Sequence, residues 1–156
     1  MAVRLALQNA PEPFDSLVAL AKELSGAADA GGEYNYAAAM ELASKCKNCG
    51  GGDDGAAREL GNTVAALTSV PTAIYCAERA RERIPGLSGE CEFSRALQLA
   101  YTFGGDTDTI GSMAGAVVGA RIGAAAIPEK LKELCEGVDD AVRQADALYK
   151  IVHERT

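Results

Sequence analysis

The segment FGGDTDTIGSMAGAVVGARIG, residues 103–123, sets two carboxylates and two threonine hydroxyls directly before a long run of small and apolar residues. Gly104 and Gly105 permit a sharp turn, and Asp106, Asp108 and Thr109 then supply oxygens from that turn and from the first turn of a helix. Capping the helix requires only one of those oxygens. Two carboxylates and a hydroxyl converging on one point suit a hard divalent cation. Mg²⁺ takes a few such protein ligands and keeps water or substrate oxygens for the rest of its octahedron. On residue types alone both readings stand, because D-x-D-T at a helix start is also a common capping pattern.

Other groups that could do chemistry are fewer. Cys46 and Cys49, in CKNC, have the spacing of half a zinc site or of a redox pair. No second pair of Cys or His has ligand spacing, and the preceding YAAAMELAS reads as helix where a thioredoxin-like motif needs a strand. Asp53 and Asp54, in GGDDGA, read as the acidic start of a helix, and His153 as a surface residue. The cysteines, five in all, are odd in number and mostly lie in apolar or helical stretches, as expected of reduced thiols in an intracellular protein.

The elements that must hold these groups are helical. With 156 residues, 48% of them hydrophobic, no Trp and few β-branched runs, the chain reads as one all-α unit, residues 1–156. A net charge of -7 gives no counterion-release drive toward nucleic acid and no attraction to anionic membranes. The first residues, AVRLALQNAPEP, are too short in apolar run for a secretory leader. The stretch from Thr109 to Ile127 has the length of a membrane span and one charge, Arg121, but its glycines and alanines and the acids at its mouth favour a buried helix. Gly111, Gly115, Gly119 and Gly123 recur every four residues and strip one helix face, so that a neighbouring helix can come close.

Helices are expected over residues 2–8, then over FDSLVALAKELS with Phe14, Leu17, Leu20 and Leu24 on one face, then over YAAAMELASKC. Loops are expected at GAADAGGEYN and around the three glycines of KNCGGGDDGA. A helix from about Asp54 to Leu67 would align Leu60, Val64 and Leu67, and the next would begin with Ser69 as N-cap and Pro71 in its first turn. EFSRALQLAYT leads into the acidic motif, and PEKLKELCEG and VDDAVRQADALYKIVHE form the last two helices.

GGDTDTIGSMAGAVVGARIG resembles the C-terminal metal motif of the ADP-ribosylglycohydrolase family, which includes the dinitrogenase reductase-activating glycohydrolase. ELGNTVAALTSVPTAIYC, residues 59–76, is similar to a helix pair of the ADP-ribosylhydrolase 3 branch, the nearest within the family, and PEKLKELCEG resembles the short helix that follows the metal motif there. The blocks together cover about residues 59 to 137, with a looser match through the N-terminal third. The resemblance implies an all-α orthogonal helical bundle, here incomplete, with Asp106, Asp108 and Thr109 as metal ligands and Asn62, Thr63 and Val64 along the ligand cleft. In the complete fold two Mg²⁺ ions bind the distal ribose of ADP-ribose and a water near its anomeric carbon. The implied reaction is hydrolysis of the bond from ribose C1″ to a serine oxygen, or between ADP-ribose units. The implied partners are ADP-ribose and serine-ADP-ribosylated proteins or poly(ADP-ribose), in nucleus, cytoplasm or mitochondrial matrix.

The family's other metal ligands, a Glu and a Thr-Asp-Asp run, its diphosphate loop and a His near the substrate have no counterpart here. The chain therefore reads as the C-terminal half of a single domain, with half a dimetal site, no catalytic residue in this half and little activity alone. Its truncated face is expected to expose apolar surface and to favour association. Two alternatives stay open: a non-catalytic helical domain that binds a partner, and an enzyme for arginine-linked ADP-ribose.

Overall fold

Helix boundaries follow the chain's proline and glycine punctuation. A computed structural model describes residues 2–8, 13–25, 35–48, 52–88 and 91–154, and among them there is no strand. The loop expected at 26–34 lies outside the described residues, as do Cys49 and the side chain of His153. The first helices are Ala2–Leu7 (α1), Pro13–Ser25 (α2) and Tyr36–Asn48 (α3). Pro13 opens α2, where its missing N–H would have had no helical partner in any case. Asn35 starts α3, its Oδ1 accepting from the Ala38 N–H at 2.9 Å.

The next stretch corrects the expected pattern. Helix α4 is Gly52–Leu60, and α5 does not begin until Ala66 and runs to Arg79. Between them Gly61 takes φ +77°, a left-handed backbone that stops a helix, and residues 61–65 form a loop that leaves Val64 82% exposed. The helix expected over 54–67 is thus two elements. Ser69 is likewise not a cap: it is buried inside α5, donating from Oγ to the Ala65 carbonyl at 3.2 Å. Pro71 lies beyond the first turn and leaves the helix without one internal hydrogen bond. Asp53, in the first turn of α4 as expected, accepts from the Tyr75 hydroxyl at 2.7 Å and lies 3.3 Å from Arg79 Nε, which fastens α4 to α5.

Phe14, Leu17, Met40, Leu60, Ile74, Leu99, Phe103 and Ile110 form the main core, drawn from α2 to α5 and from two further helices, Glu92–Thr102 (α6) and Thr107–Ile122 (α7). Full burial of a large apolar side chain contributes roughly 1.5–3 kcal/mol, so this cluster is the main source of stability. Cys91 is the N-cap of α6, its sulfur accepting from the Ser94 N–H at 3.4 Å. Helix α7 packs against α1, α5 and α6, with Ile110, Ala114, Val117 and Val118 turned inward. Close by, Ala6, Ala77, Ala80 and Ala96 join Val117 and Val118 in a second cluster of small residues.

Arg121, near the end of α7, is 5% exposed and binds three partners at once. Its Nη1 donates to Glu78 of α5 at 2.7 Å, its Nη2 to the Ala77 carbonyl at 2.7 Å and its Nε to Glu92 of α6 at 2.7 Å. Glu78, 2% exposed, is also paired with Arg81 at 2.9 Å. Pairing of this kind is what makes a buried charge tolerable. Gly123, the last of the four-residue ladder, takes φ +78° and ends α7, so the helix stops short of Ile127. A 3₁₀ turn, Ala124–Ala126, follows, then Glu129–Leu134 (α8) and Val138–His153 (α9). Every side chain from Asp139 to Val152 is exposed. No helix among the described residues is long and apolar enough to cross a membrane.

Candidate metal and ligand site

The acidic motif sits where α6 ends and α7 begins. Gly104 and Gly105, at φ +71° and +65°, reverse the chain between them, a backbone that costs residues with a Cβ about 1–2 kcal/mol. Helix α7 starts at Thr107, so Asp106 is its N-cap and Asp108 and Thr109 lie in the first turn. Yet the Asp106 side chain makes no capping hydrogen bond. Its backbone is fixed instead, the carbonyl accepting from the Ile110 N–H at 3.1 Å and the N–H donating to the Asn62 carbonyl at 2.8 Å. Asp108 Oδ1 accepts from the adjacent Thr109 N–H at 2.8 Å.

The two carboxyl groups lie together. Contact with the Asp106 carboxyl, and then the Thr109 N–H, hold the Asp108 carboxyl below its ordinary value, with Asp108 itself open to solvent. Asp108 also stands at the mouth of an open groove of about 500 Å³ between α6 and α7, lined by Phe93, Leu97, Tyr101, Thr107 and Gly111. Gly111 and Gly115 of the glycine ladder line the groove. A Cβ at Gly115 would lie 3.6 Å from both Leu97 and Phe93, so α6 meets this face through large side chains that rest in the glycine gaps.

The loop 61–65 comes against the acidic turn from the other side. Asn62 Nδ2 donates to the Phe103 carbonyl at 2.7 Å, and Thr72, fully buried in α5, donates to the Gly61 carbonyl at 2.7 Å. The Thr63 hydroxyl lies 2.8 Å from that of Thr68 and accepts from the Ala65 N–H at 3.2 Å, so it helps start α5. Of Asn62, Thr63 and Val64, Asn62 touches Asp106, while the Thr63 side chain is engaged with Thr68 and Ala65 and Val64 faces solvent. Thr72 and Phe103, which hold the two sides together, were not singled out from the sequence. The Gly61–Asn62 pair, a frequent helix stop, was the available signal.

Cys46 donates to Glu59 Oε2 at 3.6 Å, and none of Cys46, Cys76, Cys91 and Cys135 forms a disulfide. Among the described residues no three His, Cys, Asp or Glu side chains are grouped to hold a metal. The acidic turn therefore offers two carboxylates with Thr109 beside them, a donor set of the right chemistry for Mg²⁺ but short of a full shell.

A family model, ADP-ribosylglycohydrolase, matches residues 1–156. The chain belongs to the ADP-ribosylglycohydrolase family. It is 44% identical over 94 residues to ADP-ribosylhydrolase ARH3 of Homo sapiens, an alignment covering 60% of this chain and 26% of that protein. With ARH3 of Danio rerio it shares 46% identity over 94 residues, covering 60% and 25% of the two chains. An uncharacterized protein of Escherichia coli strain K12, YegU, is 35% identical over 123 residues, 78% of this chain and 35% of that one. This ADP-ribosylglycohydrolase chain thus aligns with about a quarter of the length of its ARH3 relatives, and the all-α fold matches what the resemblance implied.

Proposed function

We propose that Asp106, Asp108 and Thr109 are the contribution of this chain to a Mg²⁺ site at which ADP-ribose binds. The activity so served is Mg²⁺-dependent hydrolysis of ADP-ribose linked to serine or within poly(ADP-ribose). The observation that carries the reading is the Asp106 side chain: it stands at a helix N-terminus, makes no capping bond and lies against a second carboxylate. Two carboxyl groups in contact at a helix start are an oxygen donor pair that a hard divalent cation fits. Membership of the ADP-ribosylglycohydrolase family and 44% identity to ADP-ribosylhydrolase ARH3 over 94 residues support ADP-ribose as the ligand class.

In this reading α7 holds the carboxylates in fixed relation, and the groove beside Asp108 gives a ligand access to them. The bound metal supplies orientation of ribose oxygens and a lowered pKa for water. Among the described residues no third His, Cys, Asp or Glu joins the two carboxyl groups, so in this reading their own Mg²⁺ binding is weak and turnover negligible.

Calorimetric titration of the chain with Mg²⁺ and then ADP-ribose, beside Asp106→Ala/Asp108→Ala, tests the reading. Metal-dependent ADP-ribose binding that disappears in the double variant is the expected result. Equal heats from both proteins would sink the site, and rapid release of ADP-ribose from a serine-modified peptide by the chain alone would contradict the assignment of an incomplete centre.

A further inference from the structure

We propose that Asn62 is a positioning residue for the acidic turn, acting through its backbone carbonyl and side-chain amide rather than by touching a ligand. The inference rests on the metal reading of Asp106 and Asp108. Gly105 shows how close the contact is, because a Cβ there would lie 2.2 Å from the Asn62 carbonyl oxygen and 2.6 Å from its Cγ. At this approach the carbonyl receives the Asp106 N–H at 2.8 Å, while the amide reaches past the turn to the Phe103 carbonyl at 2.7 Å. Asn62 thus holds both ends of the four-residue turn that carries Asp106.

The chain of restraint begins in the core. Thr72 is fully buried on α5 and fixes the Gly61 carbonyl, Gly61 precedes Asn62, and Asn62 fixes Asp106. Asp106, at φ -81° and ψ 61°, is in neither helical nor extended backbone, and its own side chain makes no capping bond. Its backbone is held by the Ile110 N–H of α7 on one side and by the Asn62 carbonyl on the other, and Asn62 is the restraint from outside the helix. A ligand turn binds only while its donors are held in place, and Asn62 supplies that restraint from outside α7. The amide is the removable part of it, since every residue at position 62 keeps the carbonyl.

The test compares Asn62→Ala with Asn35→Ala, which deletes an amide of the same kind at the start of α3. Hydrogen exchange is followed at the Asp106 amide in metal-free protein, and Mn²⁺ affinity is read by electron paramagnetic resonance. Loss of one net hydrogen bond corresponds to about a fivefold to tenfold change in an equilibrium. Asn62→Ala should speed exchange at Asp106 and weaken Mn²⁺ by about that factor, while Asn35→Ala changes neither. In a double-mutant cycle Asn62→Ala and Gly105→Ala should be non-additive, because both disturb the seating of residue 62 against the turn. Wild-type exchange at Asp106 in Asn62→Ala overturns the inference. If the wild type binds no Mn²⁺ the metal reading fails on its own, and exchange still decides whether Asn62 holds the turn.

Discussion

At the residue scale the capping and ligand readings of Asp106 make opposite predictions. Loss of a true N-cap costs about 0.5–2 kcal/mol. Asp106→Ala should instead change unfolding free energy by less than about 0.5 kcal/mol in urea titration, while removing the metal response. The glycines separate in the same way. Gly105→Ala places a Cβ into the Asn62 carbonyl in a left-handed backbone and should lower the melting temperature by several degrees for a loss of about 1–2 kcal/mol or more. Gly115→Ala meets only ordinary contacts at 3.6 Å inside a helix, so scanning calorimetry should find it neutral or slightly stabilising. Tyr75 gives a pH test: burial, then its hydrogen bond to Asp53, push its hydroxyl well above the ordinary 10.0. The folded state keeps this proton longer than the unfolded state does. Stability from it is therefore complete below pH about 10 and is lost as pH rises further. In an alkaline titration the tyrosinate absorbance of one tyrosine in five should appear only with unfolding.

At the element scale the Arg121 bracket is the most consequential joint. Arg121→Ala leaves Glu78 buried with part of its partner set gone, and removal of one member of a buried pair costs about 3–5 kcal/mol, measurable by chemical denaturation. The sequence marked Arg121 as the lone charge of an apolar run, but its partners come from two other helices and no local pattern names them. Helices bounded by clear signals were legible: EFSRALQLAYT is the whole of α6, and Pro13 and Gly137 stand where α2 and α9 begin. The break between α4 and α5 was not, because Leu60, Val64 and Leu67 fit a helical face by coincidence, although Val64 faces water. Likewise the acids of the site were plain from residue type, whereas the Asn62 clamp joins positions 41 apart and follows only from the packing of α5 against α7.

At the scale of the whole molecule, order should fall off along the chain. Helix α5 carries the longest run of buried residues, and α9 is exposed along its length. Native-state hydrogen exchange should therefore show α5 opening only with global unfolding and α9 exchanging first, and trypsin should cut at Arg143 or Lys150 before it cuts within α5. Helix α7 lies between these extremes in a particular way. The Asn62 clamp holds its start and the Arg121 bracket holds its far end, about 21 Å away. A rod gripped at both tips cannot tilt, slide or rotate without breaking one grip. The acid pair is thus a stationary post, and any motion at this face belongs to the parts around it.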